Sequence, residues 1–170
     1  MVIRDVRDSD LPAILAIHNE AIVATTAIWD ETPVDLADRR AWLNARRAAG
    51  YPVIACEIDG VLAGFASFGE FRARSGYRYV VEHSVYVATD YRRRGVARAL
   101  LGALIAHAET LRLHAMVGGI EADNTASIAL HTSLGFETVG RLPQVGAKFG
   151  RWLDLLFMQR LIDQRATPPV

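Results

Sequence analysis

Apolar positions along the chain follow two periods, and the switches between them predict the order of elements. Val2 to Val6 alternates as a short first strand. Ser9-Asp10-Leu11-Pro12 then reads as a helix start, with a capping side chain and Pro in the first turn. Leu11, Ile14, Leu15, His18, Ala21 and Ile22 mark the apolar face of that helix. Asp35 and Asp38 open a second helix, which carries Trp42 and Leu43 and ends near Gly50. Pro52 to Ile58 and Val61 to Phe68 read as strands joined by Asp59-Gly60, a two-residue hairpin signal. Phe71 to Arg78 is a polar, arginine-rich connection. The β-branched run Val80, Val81, Val85, Val87 marks another strand. After it Ala97, Leu100, Leu101, Leu104, Ile105, Ala108 and Leu111 recur at helical steps. His114 to Ile120 is a strand, and Asn124 to Leu134 a short helix with Gly135 as its stop. Phe136 to Leu142 and Trp152 to Leu161 read as two final strands around a loop. Early hairpins and later strand–helix alternation predict a mixed α/β (α+β) sheet in one domain over residues 1–165, with 166–170 as a frayed tail.

Composition narrows the classes. With 170 residues, 51% of them hydrophobic, the chain has ample material for one core. Nineteen basic side chains balance nineteen acidic ones, so no global field would draw nucleic acid or an anionic membrane. No apolar run approaches the roughly 20 residues of a membrane span, and MVIRDVRDSD lacks the apolar segment of a signal peptide. The single Cys56 excludes an internal disulfide and fits a cytoplasmic setting, with its place in an apolar run marking it as core.

Chemistry concentrates in Glu82 to Leu101, EHSVYVATDYRRRGVARALL. A strand here feeds a basic, glycine-containing turn at a helix N-terminus, where free backbone N–H groups and the helix dipole favour an anion. Arginines add charge-assisted hydrogen bonds. A P-loop is excluded, because Gly95 is followed by Val96-Ala97-Arg98 without Lys-Ser/Thr, and the three-glycine dinucleotide fingerprint is absent. Arg92-x-x-Gly95-x-Ala97 instead resembles the Gln/Arg-x-x-Gly-x-Gly/Ala signature of the GCN5-related N-acetyltransferase (GNAT) superfamily. Asn124-x-x-Ser127-Ile128-x-Leu130-His131-x-x-Leu134-Gly135-Phe136 is similar to that superfamily's second cofactor motif. Three further segments, Glu82-x-x-Val85-Tyr86-Val87, Gly146-x-Lys148-Phe149-Gly150-x-Trp152-x-Asp154 and Thr26-Ala27-Ile28-Trp29, resemble the branch acting on phosphinothricin, methionine sulfone and methionine sulfoximine.

The resemblance implies a mostly antiparallel sheet of about six or seven strands with about four helices. Its two central parallel strands, here Glu82–Ala88 and His114–Ile120, splay apart to admit acetyl-CoA, with no metal. It implies that Arg92, Arg93, Arg94, Gly95, Val96, Ala97 and Arg98 hold the pyrophosphate. Val85, Tyr86 and Val87 would meet the pantetheine arm along the strand, with Asn124 and Ser127 at the following helix. Glu82 is implied as the general base, against the alternative of an exposed strand carboxylate. His131 is either the acid that protonates the leaving thiolate or a packed helix residue. For a small amino-acid acceptor, Arg72, Arg74 and Arg78 could grip a carboxylate or phosphinate. Trp29, Phe71 and Tyr77 could wall the pocket, and His83 could line it only through strand twist or across a dimer. A homodimer is the family expectation. Lys148 and the Phe149–Asp154 loop could close over the site or a dimer interface, with simple packing the favoured account for Trp152. Another amine acceptor, or a non-catalytic acyl-CoA sensor, stays open at this point.

Overall fold

A computed structural model of the chain describes residues 1–169. Along the chain lie β1 (Val2–Asp5), α1 (Leu11–Ala24), α2 (Leu36–Ala48), β2 (Val53–Ile58), β3 (Val61–Glu70) and β4 (Val80–Val87). They are followed by α3 (Val96–Thr110), β5 (Ala115–Glu121), α4 (Thr125–Ser133), β6 (Glu137–Lys148) and β7 (Arg151–Leu161). The seven strands form one sheet in the order β1-β2-β3-β4-β5-β7-β6. Only β4 and β5 run parallel; every other neighbouring pair is antiparallel. This mixed α/β sheet with its helices is the architecture the sequence implied.

Local chemistry explains the element ends. Asp35 caps α2 by accepting the Asp38 N–H at 2.8 Å. Asp59 and Gly60 both take positive φ, the geometry of a tight hairpin turn between β2 and β3. At α1 the expected cap differs: the Asp10 carboxylate accepts from the Arg7 N–H and the Arg4 guanidinium, both at 2.7 Å, and leaves the helix N-terminus without a side-chain cap. β6 runs to Lys148, beyond the predicted end at Leu142, because β7 pairs with it as far as Arg151. The expected tail, residues 166–169, is exposed and outside any helix or strand. Residues 166–169 lie against Tyr79 and His114, with the Tyr79 hydroxyl on the Pro169 carbonyl, while Val170 lies outside the described residues.

Two layers of helix cover the sheet. Val96, Leu100, Leu101, Leu104, Ile105 and Ala108 of α3 are buried against Ile54, Cys56, Ala66, Phe68, Val81 and Met116 on one face. Ala97 and Leu111, expected on that stripe, are half-buried and exposed respectively. α1 and α2 cover the other face over β2 to β4 through Leu11, Ile14, Leu43 and Phe65. Cys56 is fully buried, as a core residue should be. Among the described residues no helix is long and apolar enough to cross a membrane.

The approach of α3 depends on Gly64. A Cβ there would lie 2.7 Å from the Tyr86 carbonyl, 3.1 Å from Val96 and 3.2 Å from Leu100. Since the backbone carbonyl cannot step aside, Gly64→Ala should destabilise the fold by about 1–3 kcal/mol, the usual cost of overpacking. Urea unfolding checks this, and an unchanged midpoint would contradict the packing described.

Candidate active site

The parallel ladder between β4 and β5 is short. Val80, Val81 and Glu82 pair with Ala115, Met116 and Val117, and there the pairing stops, although β4 continues to Val87 alongside β3. The phase of the β3–β4 ladder is fixed by the Phe71 N–H on the Val80 carbonyl and the Ala88 N–H on the Ala63 carbonyl. Even-numbered residues of β4 therefore bond to β3, and the N–H groups of Val85 and Val87 face the side β5 has left. This is the splay that the sequence implied, and it begins at Glu82. Tyr86 departs from expectation. Its backbone belongs to the β3 ladder opposite Phe65, and its ring packs on Phe65 and His18 on the α1 face.

At the open end of β4 the chain turns into α3. Arg92, Arg93, Arg94 and Gly95 are exposed. Arg93 and Gly95 take positive φ, and α3 starts with no side-chain cap, so its first N–H groups at Val96, Ala97 and Arg98 stay available. The Arg94 guanidinium lies over the Tyr91 ring at 5.3 Å. Arg98 instead donates to Ser133 Oγ at 2.7 Å and ties α3 to α4. Asn124 accepts the Ser127 N–H at 3.1 Å as the cap of α4, so its carbonyl oxygen is already engaged.

Alternation along β4 separates the two candidate titratable residues. His83 points to the face of α3 and α4, where it is buried and stacked on His131 with ring centroids 5.0 Å apart. His131 Nδ1–H donates to the Ser127 carbonyl at 2.7 Å, which leaves its Nε2 to accept from His83 Nε2 at 3.1 Å. His83 Nδ1 is then buried without a partner. Gly118 permits this close approach, because a Cβ there would lie 2.8 Å from His83. Burial, and then the neighbouring His131, push the His83 pKa well below the ordinary 6.5; burial also lowers that of His131, against its bond to Ser127. The strand thus sends His83 away from Glu82 and out of any pocket the carboxylate serves.

Glu82 faces the side of α1 and α2. Its carboxylate stands beside Gly119, where a Cβ would meet Oε1 at 3.1 Å, and Arg72 Nη1 is 4.0 Å from Oε2. Partial burial raises its pKa above the ordinary 4.5, against the opposing pull of Arg72. Arg72 lies 4.1 Å over the Phe71 ring, and Phe71 makes edge contacts with Tyr77 and Phe157. Arg78 does not join them: it bonds the Ser75 carbonyl and stacks on Tyr79. Arg74 is exposed on the same turn. Trp29 packs against Gly146 of β6, where a Cβ would come within 2.2 Å of the indole, and Thr26 reaches Glu121 of β5 at 3.3 Å.

Two residues were missed or misread. Lys148 is buried rather than placed on a closing loop. Its ammonium donates to the carbonyls of Ile22, Thr25 and Ile28 and so braces the loop that carries Trp29. Arg46 of α2 lies on Gly69 of β3. Only its spacing on the polar side of a helix was visible in the sequence, which gives no hint of that reach. Among the described residues no group of three or more His, Cys, Asp or Glu could hold a metal ion.

An unpaired strand edge running into a basic, uncapped helix start has a counterpart in known proteins: residues 14–136 match the model of the acetyltransferase (GNAT) family. The chain belongs to that family. It is an N-acetyltransferase. A methionine sulfoximine/methionine sulfone acetyltransferase of Pseudomonas paraeruginosa is 54% identical over 168 residues, covering 98% of both chains. A phosphinothricin N-acetyltransferase of Alcaligenes faecalis is 43% identical, over 95% of this chain and 82% of that one. A Salmonella typhimurium acetyltransferase solved with its cofactor acetyl-CoA superposes with a TM-score of 0.97 at 50% identity, covering 99% and 98% of the two chains.

The buried histidine pair gives this acetyltransferase a pH signature. Unfolded His83 takes up a proton near 6.5, whereas folded His83 resists it. Its contribution to stability is therefore complete above that pH and is lost as pH falls toward the lower folded value, by up to about 1.4 kcal/mol per pH unit. Urea unfolding at pH 7, 6 and 5 should show the loss, and His83→Gln should flatten it. Equal slopes in the two proteins would contradict a neutral buried His83.

Proposed function

We propose that this acetyltransferase uses acetyl-CoA to acetylate the α-amine of methionine sulfoximine, methionine sulfone or phosphinothricin, with Glu82 as general base. The observation that carries the reading is the end of the β4–β5 ladder at Glu82, which leaves the Val85 and Val87 N–H groups unpaired beside an exposed arginine turn. Those groups fit the amides of a pantetheine arm and the pyrophosphate at its far end. Acetyl-CoA would supply the acetyl group as its thioester. The names of the relatives support the acceptor class.

In this reading Glu82 takes the proton of the attacking amine, and its raised pKa suits that task. The Val87 N–H donates to the acyl oxygen as that atom gains charge. Arg72, held over Phe71 near Glu82, meets the tetrahedral polar head of the acceptor, while Trp29, Phe71 and Tyr77 wall the pocket. His131 shares its free nitrogen with His83 and is buried, which favours a structural role for it over proton delivery to the thiolate. Exposed Val139, Leu142, Val145, Phe149 and Trp152 on β6, β7 and their turn favour a homodimer formed through that hairpin.

Thiol release with acetyl-CoA tests this against the three amino acids, methionine, a polyamine and an N-terminal peptide. The three analogues should be the best acceptors, because methionine leaves the donors of the pocket unpaired. Glu82→Gln should keep acetyl-CoA affinity and lower kcat/KM about 10²–10⁴-fold. The acid limb of the wild-type profile should lie above the ordinary carboxylate range and vanish in the variant. Faster acetylation of the polyamine or peptide, or a fully active Glu82→Gln, would overturn the reading.

A further inference from the structure

Arg46 projects from the last turn of α2 onto the sheet. Its guanidinium fills the volume where Gly69 lacks a side chain, with Nη1 only 1.5 Å from the position a Cβ would take. Gly69 is the register partner of Glu82 in the β3–β4 ladder. Directly opposed residues of an antiparallel pair share a face, with Cβ positions about 5 Å apart. The guanidinium therefore lies on the acceptor side of the sheet, across one strand spacing from the base. It forms no ion pair with any acidic side chain and no hydrogen bond among the described residues, and its Nε is buried without a partner.

A guanidinium with five donors and no acceptor in reach is a costly arrangement in a half-buried place unless something completes it. Glu82 does not: its carboxylate turns the other way, toward Gly119 and Arg72. What is left is a carboxylate at Glu82 and an unused guanidinium seated on Gly69, its register partner on the same face. An α-amino acid presents the complementary pair, an amine and a carboxylate two bonds apart.

We propose that Arg46 is a specificity-determining residue that binds the α-carboxylate of the acceptor while Glu82 faces its amine. This rests on the reading of the chain as an amino-acid N-acetyltransferase and divides the labour of its arginines, Arg46 holding the carboxylate and Arg72 the side-chain head. A planar fork suits a carboxylate, and truncating it leaves the bound anion unpaired. It also explains Gly69: a side chain there would expel the guanidinium from its seat.

The test compares kcat/KM for methionine sulfone and for its methyl ester, in the wild type, Arg46→Met and Gly69→Val. The wild type should favour the free acid, and both variants should lose at least about tenfold of that preference while acetyl-CoA affinity holds. A merely structural arginine would lower both substrates alike, and an unchanged acid-to-ester ratio in Arg46→Met would overturn the proposal. Gly69→Val keeps the charge and moves it, so its ratio must fall too. If the wild type acetylates acid and ester equally, the carboxylate is not recognised and the Arg46 proposal fails, while the amino-acid reading stands. If it turns over neither, calorimetric binding of N-acetylmethionine sulfone decides: affinity that is absent, or equal in wild type and Arg46→Met, rejects the carboxylate site, and affinity lost in the variant upholds it.

Discussion

The arrangement depends on one backbone constraint: β4 and β5 stop pairing at Glu82 and Val117 while both strands continue. Buried N–H and C=O groups are almost always paired, so an interior strand with one unpaired edge must be completed by something outside the sheet. The helices make the opening permanent. α3 is clamped to β3 through Gly64 and fills the space beneath the cleft with Leu100, Leu101 and Leu104, while α4 is held by Arg98 to Ser133 and by the histidine stack. The same feature orders the chemistry, because the anion-binding turn follows the open end of β4 and Glu82 sits where the ladder ends.

Two glycines side by side on β5 show how the sheet serves both faces. Gly118 makes room for the His83–His131 pair under α4, and Gly119 for the Glu82 carboxylate on the other side. Larger residues at either place would push on the groups that define the cleft. Lys148 does comparable work at a distance, as a buried cation satisfied by three carbonyls at and beyond the C-terminal end of α1, an arrangement the helix dipole favours.

Much of this was legible in the sequence. Periodicity located α3, the Asp59-Gly60 hairpin and most strand boundaries, because those elements bury one regular stripe each. Arg92 to Gly95 announced an anion site through charge and glycine at a helix start. Alternation alone set His83 against Glu82. What stayed hidden depends on long-range reach. Arg46 is an ordinary basic residue in the sequence and Lys148 only one member of a motif, and only the fold shows one lying on Gly69 and the other buried among carbonyls 120 to 126 residues away along the chain. Tyr86 and Arg78 were grouped with their neighbours by position, whereas ladder phase and the turn at Ser75–Tyr77 send them elsewhere.

The central claim is that the open edge of β4 receives acetyl-CoA as an added strand would be received. Amide hydrogen exchange of the individual Val85 and Val87 N–H groups, with and without acetyl-CoA, tests it most directly. Both should exchange readily in the free protein and become strongly protected on binding, while the Ser84 and Tyr86 amides, already paired with β3, change little. Bound acetyl-CoA that left Val85 and Val87 exchanging as before would contradict the account.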